Sequence, residues 1–467
     1  EIKRASFILE NVAVQEQWSY ALGLVLKKYT QTGKHLIVLS RNEWDNQAVK
    51  YSDNIELPEN LRLQYESRET ENKFRWEIEK KKSDLQLIGG IEGQVVNYVN
   101  DSFSKRVNSN GVYFVNYSTD LDLIKYGAYI QAIQMIPNTT ASIALGIRLD
   151  GVDYSSETQN LFNQFSPRLS LRVPLQNTWT ISSTVGRYYQ LPAYTVLGYR
   201  DFNGDLVNSD NGVTYIRSDQ FGVGVSHYVQ ENVKLSVEGF YKAYSNYPFS
   251  VRDSISLANL GSDFGVVGND EYNSTSEGRA YGFELLVQKR TTKGIYGIAS
   301  YTFVHSEFKN ELDQFVPSSW DSRHIVSMSG GIKLKKNWEV GGRWRFLGGQ
   351  PYTPYDLIAS SVKENWDANP TGILNYRQLN EERNDDYTQL DIRVDKTWYW
   401  NKLSLNLYLD IQNAYNSELD QQPILLVQKD SNGDPIADPN NSDQYLLETI
   451  KNTSGNVLPS IGLILDL

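Results

Sequence analysis

Apolar and polar residues alternate with period two along most of this chain. From 402 to 412, Leu403, Leu405, Leu407, Leu409 and Ile411 fall on one face. Lys402, Ser404, Asn406, Tyr408, Asp410 and Gln412 fall on the other. A helix would scatter those leucines around its axis, whereas a strand separates them cleanly. The same alternation sets Leu390, Ile392 and Val394 against Asp391, Arg393 and Asp395, and Val233, Leu235 and Val237 against Lys234, Ser236 and Glu238. Phe74, Trp76 and Ile78 oppose Arg75, Glu77 and Glu79, and Trp338, Val340, Trp344 and Phe346 oppose Glu339, Arg343 and Arg345. About eighteen strands are expected, many longer than the roughly 5–6 residues of a soluble strand.

The connections sort into two kinds. Short polar ones at 31–33, 81–83, 137–139, 176–177, 231–232, 291–293, 335–337 and Asn401 read as hairpin turns. Long ones are expected near 50–60, 102–116, 154–163, 190–212, 248–276, 308–319, 348–385 and 416–456. Short and long alternate, as in an up-and-down transmembrane barrel with short periplasmic turns and long outer loops. A sandwich or propeller has no reason to sort its loops this way. Trp179, Trp338, Trp398, Tyr399 and Trp400 gather beside the short turns, where an interfacial girdle sits. The fold class is therefore all-β, an antiparallel transmembrane β-barrel, with residues 1–467 forming one barrel domain.

Composition sharpens this. The chain has 31 Tyr, 10 Trp and 16 Phe, yet its mean hydropathy is −0.48. Only alternate residues of a barrel strand meet lipid and the lumen is polar, which gives this mixture. No stretch approaches the roughly 20 apolar residues of a membrane helix. A net charge of −11 argues against a nucleic-acid partner. With no cysteine there is no disulfide framework, thiol nucleophile or cysteine zinc site.

Catalytic chemistry is not expected. His35, His227, His305 and His324 lie on four separate strand candidates and form no metal-ligand pair. No nucleophile elbow or phosphate loop is present. Binding residues are expected at the mouth, where aromatic and basic side chains cluster: Arg187, Tyr188, Tyr189, Tyr194, Tyr199 and Arg200 in one loop, and Tyr352, Tyr355 and Trp366 in another. Aromatic faces with a few polar groups suit sugars, flat chelates or peptides, and equally suit loop packing. Asp201, Asn203 and Asp205, and again Asp430, Asn432 and Asp434, place oxygen ligands at alternate positions around a Gly. That spacing suits a structural calcium in the outer loops, or an ordinary Asx turn; neither loop has the glutamate at position twelve of an EF-hand. No other cofactor is expected.

Several segments resemble the C-terminal barrel of TonB-dependent outer-membrane receptors, particularly those of Bacteroidetes. They are Phe165-Ser166-Pro167-Arg168-Leu169 with TWTISSTVGRYYQLPAY, SVEGFYKAYSNYPFSV (236–251), and GRAYGFELLVQKR (278–290) with the hairpin partner that follows it. The most specific stretch is 320–356, with its Asp321-x-Arg323-His324 opening, WEVGGRWRF strand and Gly-Gln-Pro-Tyr-Thr-Pro exit. YTQLDIRVDKTWYWNKLSLNLYLDIQNAYN (387–416) and LPSIGLILDL (458–467) resemble the family's last strands. The resemblance implies a barrel of roughly 22 strands around an N-terminal plug. With about eighteen strands and no plug here, the chain is expected to begin near the fifth strand, with roughly 200–300 residues preceding it. It further implies active import of a scarce nutrient (siderophore, cobalamin, peptide or glycan) without bond-making chemistry. The implied partners are the TonB complex through the plug part, outer-membrane lipids, the ligand, and in one subtype a surface lipoprotein. The runner-up is a passive porin-like channel of about eighteen strands, and a soluble carbohydrate-binding protein or glycosidase is a third class.

Overall fold

In the computed structural model, residues 2–108, 111–175, 178–260, 267–290 and 294–466 are described. Strands form where the alternation places them. After a short helix α1 (Ile2–Asn11) come β1 (Val14–Thr30), β2 (Gly33–Tyr51), β3 (Leu61–Lys82), β4 (Leu85–Asn108), β5 (Gly111–Met135) and β6 (Ser142–Val152). Next are β7 (Ser166–Leu175), β8 (Trp179–Gln190), β9 (Ile216–Gln230), β10 (Val233–Ser250), β11 (Tyr272–Lys289) and β12 (Gly294–Lys309). The last are the three-residue β13 (Phe315–Pro317), then β14 (Arg323–Lys333), β15 (Trp338–Leu347), β16 (Tyr387–Tyr399), β17 (Ser404–Gln412) and β18 (Leu458–Asp466). All eighteen belong to one antiparallel sheet in which each long strand pairs with its neighbours in the chain. Among the described residues β1 and β18 do not pair with each other.

Cross-strand register joins the apolar faces into a belt. Leu405, Leu409 and Ile411 face Trp398, Val394 and Ile392 on one side, and Leu465, Ile461 and Pro459 on the other. Leu409 and Ile461 are 44% and 75% exposed, as are dozens of other large apolar residues on this face. An apolar surface of that extent meets lipid, not water. The five girdle aromatics are all exposed beside the short turns. The His227 ring stacks on Trp179 at 4.0 Å, and the Lys396 ammonium lies 5.4 and 5.5 Å from the Trp338 and Trp398 rings. The opposite face carries the charges into the lumen. Several are paired there, as in Arg393–Asp395 at 2.8 Å, Arg345–Asp391 at 3.5 Å and Arg148–Asp150 at 2.6 Å.

One expected loop is instead strand. The pattern predicts an outer loop over 102–116, but β4 runs to Asn108 and β5 starts at Gly111. Above the bilayer neither face of a strand meets lipid, so DSFSKRV can be polar on both faces and still hold its ladder. The short turns expected at 176–177 and 291–293, and part of the loop at 248–276, lie outside the described residues. Among the described residues no helix is long and apolar enough to cross a membrane, which leaves a barrel untouched.

Candidate functional site

The mouth of the sheet is covered by connections that fold inward and carry cores of their own. In the β8–β9 connection, Pro192 lacks an N–H and ends β8, and a single helical turn follows at Tyr194–Leu197. Val196, Leu197 and Val213 are fully buried against Val96, Tyr98, Leu121 and Leu123 on the inner faces of β4 and β5. At the centre is Asn208, also with no exposure. Its Nδ2 donates to Val196 O at 2.7 Å and Asp270 O at 3.0 Å, and its Oδ1 accepts from Tyr272 N at 2.8 Å. One side chain thus ties the connection to the start of β11. Nothing in the local sequence marks Asn208 for this, because its partners are 12, 62 and 64 positions away.

The mouth residues expected from sequence separate into roles. Tyr194 is buried, and its hydroxyl donates to Glu71 Oε1 at 2.7 Å while accepting from Lys125 Nζ at 3.1 Å. Burial, with that carboxylate beside it, pushes the hydroxyl's pKa up, so it stays a donor. Tyr199 meets Tyr117 edge-on at 5.2 Å, and burial followed by the Asp270 charge raises its pKa. Arg200 donates to Thr119 Oγ1 at 2.9 Å and Gly204 O at 2.7 Å. Arg187 pairs with Asp219 at 2.6 Å, the Arg168 guanidinium lies 4.4 Å from the Tyr188 ring, and Tyr189 packs against the loop core. Beneath this connection lies a pocket of about 200 Å³ lined by Glu92, Gln94, Lys125, Arg148, Tyr189 and Tyr215. Sites for drug-sized ligands are larger, roughly 300–1,000 Å³.

The second aromatic group belongs to another unit. The β15–β16 and β17–β18 connections pack together around Trp366, Leu425 and Val427, with Tyr355, Tyr445 and Leu447 beside them. Tyr445 donates to Asp367 at 3.2 Å and Gln422 to Thr353 O at 2.9 Å. Tyr352 lies apart from that core, opposite Glu382 in a two-residue ladder. Arg62 of β3 hydrogen-bonds Asn369 of this unit, so the unit reaches across the bore. Among the described residues the structure brings Tyr355 and Trp366 together in one core, and Tyr189 and Tyr194 in another.

The Asp321-x-Arg323-His324 motif has a structural role. Asp321 is fully buried and accepts from Ser306 N at 2.9 Å, contacts His305 Nδ1 at 2.8 Å, and pairs with Arg383. Arg383 also donates to Asp321 O at 2.7 Å and Gly349 O at 2.8 Å. This knot fastens the β15–β16 connection to the tops of β12 and β14.

The two Asp-x-Asn-Gly-Asp segments are near-identical turns. Asp201 Oδ1 accepts from Asn203 N at 2.9 Å and Asp205 N at 3.0 Å, and Asp430 Oδ1 from Asn432 N at 2.8 Å and Asp434 N at 3.0 Å. The N–H of Asp205, then that of Asn203, holds the Asp201 carboxyl below its ordinary pKa. Among the described residues no three His, Cys, Asp or Glu side chains are grouped to hold a metal. The Asx geometry accounts for the motif's spacing with no ion.

In the lumen, Glu238 of β10 stands directly opposite Glu284 of β11, and neither has a cationic partner among the described residues. Like charges in that register repel.

A lipid-facing antiparallel sheet, a polar lumen and inward-folded outer connections are the architecture of a known barrel family. Its model, described as TonB dependent receptor-like, beta-barrel, matches residues 7–414. The chain belongs to the TonB-dependent receptor family. Solved receptors share the fold at low identity. A variant of the ferric enterobactin receptor of Pseudomonas aeruginosa superposes with TM-score 0.65 at 14% identity, over 97% of this chain and 62% of that one. The ferric yersiniabactin uptake receptor of Yersinia pestis gives 0.62 at 12%, over 97% and 61%. The ferripyoverdine receptor of the Pseudomonas aeruginosa outer membrane gives 0.60 at 15%, over 97% and 57%. The chain thus spans about three fifths of the length of these receptors. No curated protein sequence matches it. As a TonB-dependent receptor barrel, the chain is an integral protein of the outer membrane, with its short turns toward the periplasm.

Proposed function

We propose that this barrel is the wall and gated mouth of an energy-coupled importer of a scarce nutrient. The observation that carries the reading is the pair of folded loop units anchored inside the mouth. Two loop units with buried cores are pinned to the inner wall by Tyr194–Glu71 and Arg62–Asn369, which sets folded loop in the path of an entering solute. Glu238 and Glu284 add support, since a lumen-filling domain with basic side chains would relieve their repulsion. In this reading the loops capture the ligand, that domain blocks the bore, and the TonB complex pulls on it. No residue carries out bond-making chemistry. The ligand is drawn from siderophores, cobalamins, peptides or glycans. Its contacts come from Arg187, Tyr188, Tyr199, Arg200 and Tyr352, while Tyr189, Tyr194, Tyr355 and Trp366 hold the loops in shape.

The test is conductance. Full-length receptor in planar bilayers is expected to show no steady current. A steady porin-sized conductance would overturn the reading in favour of the passive channel.

A further inference from the structure

We propose that the outward face of β12, β14 and β15 holds one phospholipid of the periplasmic leaflet, its acyl chain in a groove and its phosphate at Lys289. The groove follows from register. Gly297 faces Gly330, and Gly330 faces Gly342, so three glycines stand side by side across three strands. The row on one side is Ala299, Met328 and Trp344; the row on the other is Ile295, Ile332 and Val340. Between these apolar rows the glycine row leaves a hollow of about 410 Å³. Strand alternation puts it on the face of the exposed Ile295 and Met328, which is the lipid face.

Two of the glycines are required by the backbone. A Cβ at Gly330 would sit 2.7 Å from Tyr296 O, and one at Gly297 would sit 3.0 Å from Ser329 O. Gly342 is different, because its Cβ would first meet Asp391 O at 3.4 Å. A side chain fits there with little adjustment, so close strand approach does not demand the glycine that keeps the groove open.

The occupant is set by charge. Lys289 closes one end of the row, directly opposite Gly297, and lines the groove. It is the last residue of β11, at the short-turn end of the sheet, and makes no ion pair among the described residues. A lipid-facing lysine near an interface costs only about 0–1 kcal/mol, and it attracts an anion at headgroup depth. A molecule with an anionic head at that depth and a flexible apolar chain is a phospholipid. The hollow lies within the roughly 300–1,000 Å³ of small-molecule sites.

Native mass spectrometry of the full-length receptor, delipidated in detergent and titrated with phosphatidylglycerol, tests this. One tightly held lipid is expected. Lys289→Gln and Gly342→Leu should each lower its occupancy at least fivefold without loss of heat stability. Gly341→Leu points into the lumen from the next residue, with its nearest neighbour at 3.5 Å, and should leave occupancy unchanged. Unchanged occupancy in Lys289→Gln and Gly342→Leu would overturn the proposal. So would an equal loss in Gly341→Leu, or a receptor dimer that Gly342→Leu dissociates, which would make the groove a contact between copies of the chain.

Discussion

Removing the Asn208 side chain should open the β8–β9 connection while leaving the barrel intact. In Asn208→Ala, the carbonyls of Val196 and Asp270 and the N–H of Tyr272 all lose their buried partner. Each buried group left unpaired costs about 1–3 kcal/mol, so the three together set a floor near 3 kcal/mol once water reaches the truncated site. The sheet ladders do not run through Asn208, so the loss falls on local opening of the connection, not on global unfolding. A change of about 3 kcal/mol is roughly a hundredfold in the opening equilibrium. Hydrogen exchange of full-length receptor in nanodiscs should therefore accelerate about a hundredfold at the amides of 194–197 and at Tyr272. The amides of the 430–434 turn should not change. Asn208→Asp keeps the volume and the acceptor for Tyr272 but aims a carboxylate at two carbonyls, so it should open the connection at least as far. Exchange at 194–197 within threefold of the parent in both variants would show that the Tyr194–Glu71 contact, not Asn208, holds the mouth closed.

Asp321→Asn takes the carboxylate from the half-buried Arg383; a hydrogen bond to a charged group is worth about 1.5–3 kcal/mol, and proteolysis within 348–386 should rise while the ladders of β12 and β14 keep their protection. Glu238→Gln with Glu284→Gln should have opposite effects in two settings: heat stability of this chain alone is kept or raised, because a repulsion is removed, and that of the full-length receptor is lowered. A matching rise in both would refute a basic lumen-filling partner at this site. The Asp201 carboxyl is held below its ordinary pKa in the folded turn, so its contribution is present above the ordinary carboxylate range and disappears as pH falls through the lower, folded value. Proteolytic cutting at 199–206 should accordingly increase on acidification and be pH-independent in Asp201→Asn. Calorimetric titration with millimolar calcium should give no heat if the two turns are only Asx turns, and heat abolished by Asp205→Ala and Asp434→Ala would return the ion to them.

The barrel was legible because lipid imposes one rule on every strand it touches. Where Leu405, Leu407 and Leu409 must face hydrocarbon and Asn406, Tyr408 and Asp410 must not, the alternation is strict and the strand is written in the sequence. The rule lapses above the bilayer. There β4 continues through Ser102 and Ser104, both buried on the inner side, with Asp101 and Lys105 on the other face. Polar residues on both faces look like a loop, which is why the alternation alone predicts one at 102–116. The mismatch marks where the hydrocarbon ends.

The mouth was legible only as composition. Clustered Tyr, Trp and Arg in the long connections point to the mouth as the place where binding is expected, but not to which side chains face outward. A tyrosine that anchors a loop and one that meets a ligand are the same letter with the same neighbours in sequence. What separates them is a partner far along the chain: Tyr194 reaches Glu71 across 123 positions, and Arg62 reaches Asn369 across 307. Such contacts exist only after the sheet has curved and brought β3 opposite β15. The residues that anchor the mouth are consequently the least readable part of the sequence, because their roles are set by the curvature of the whole sheet.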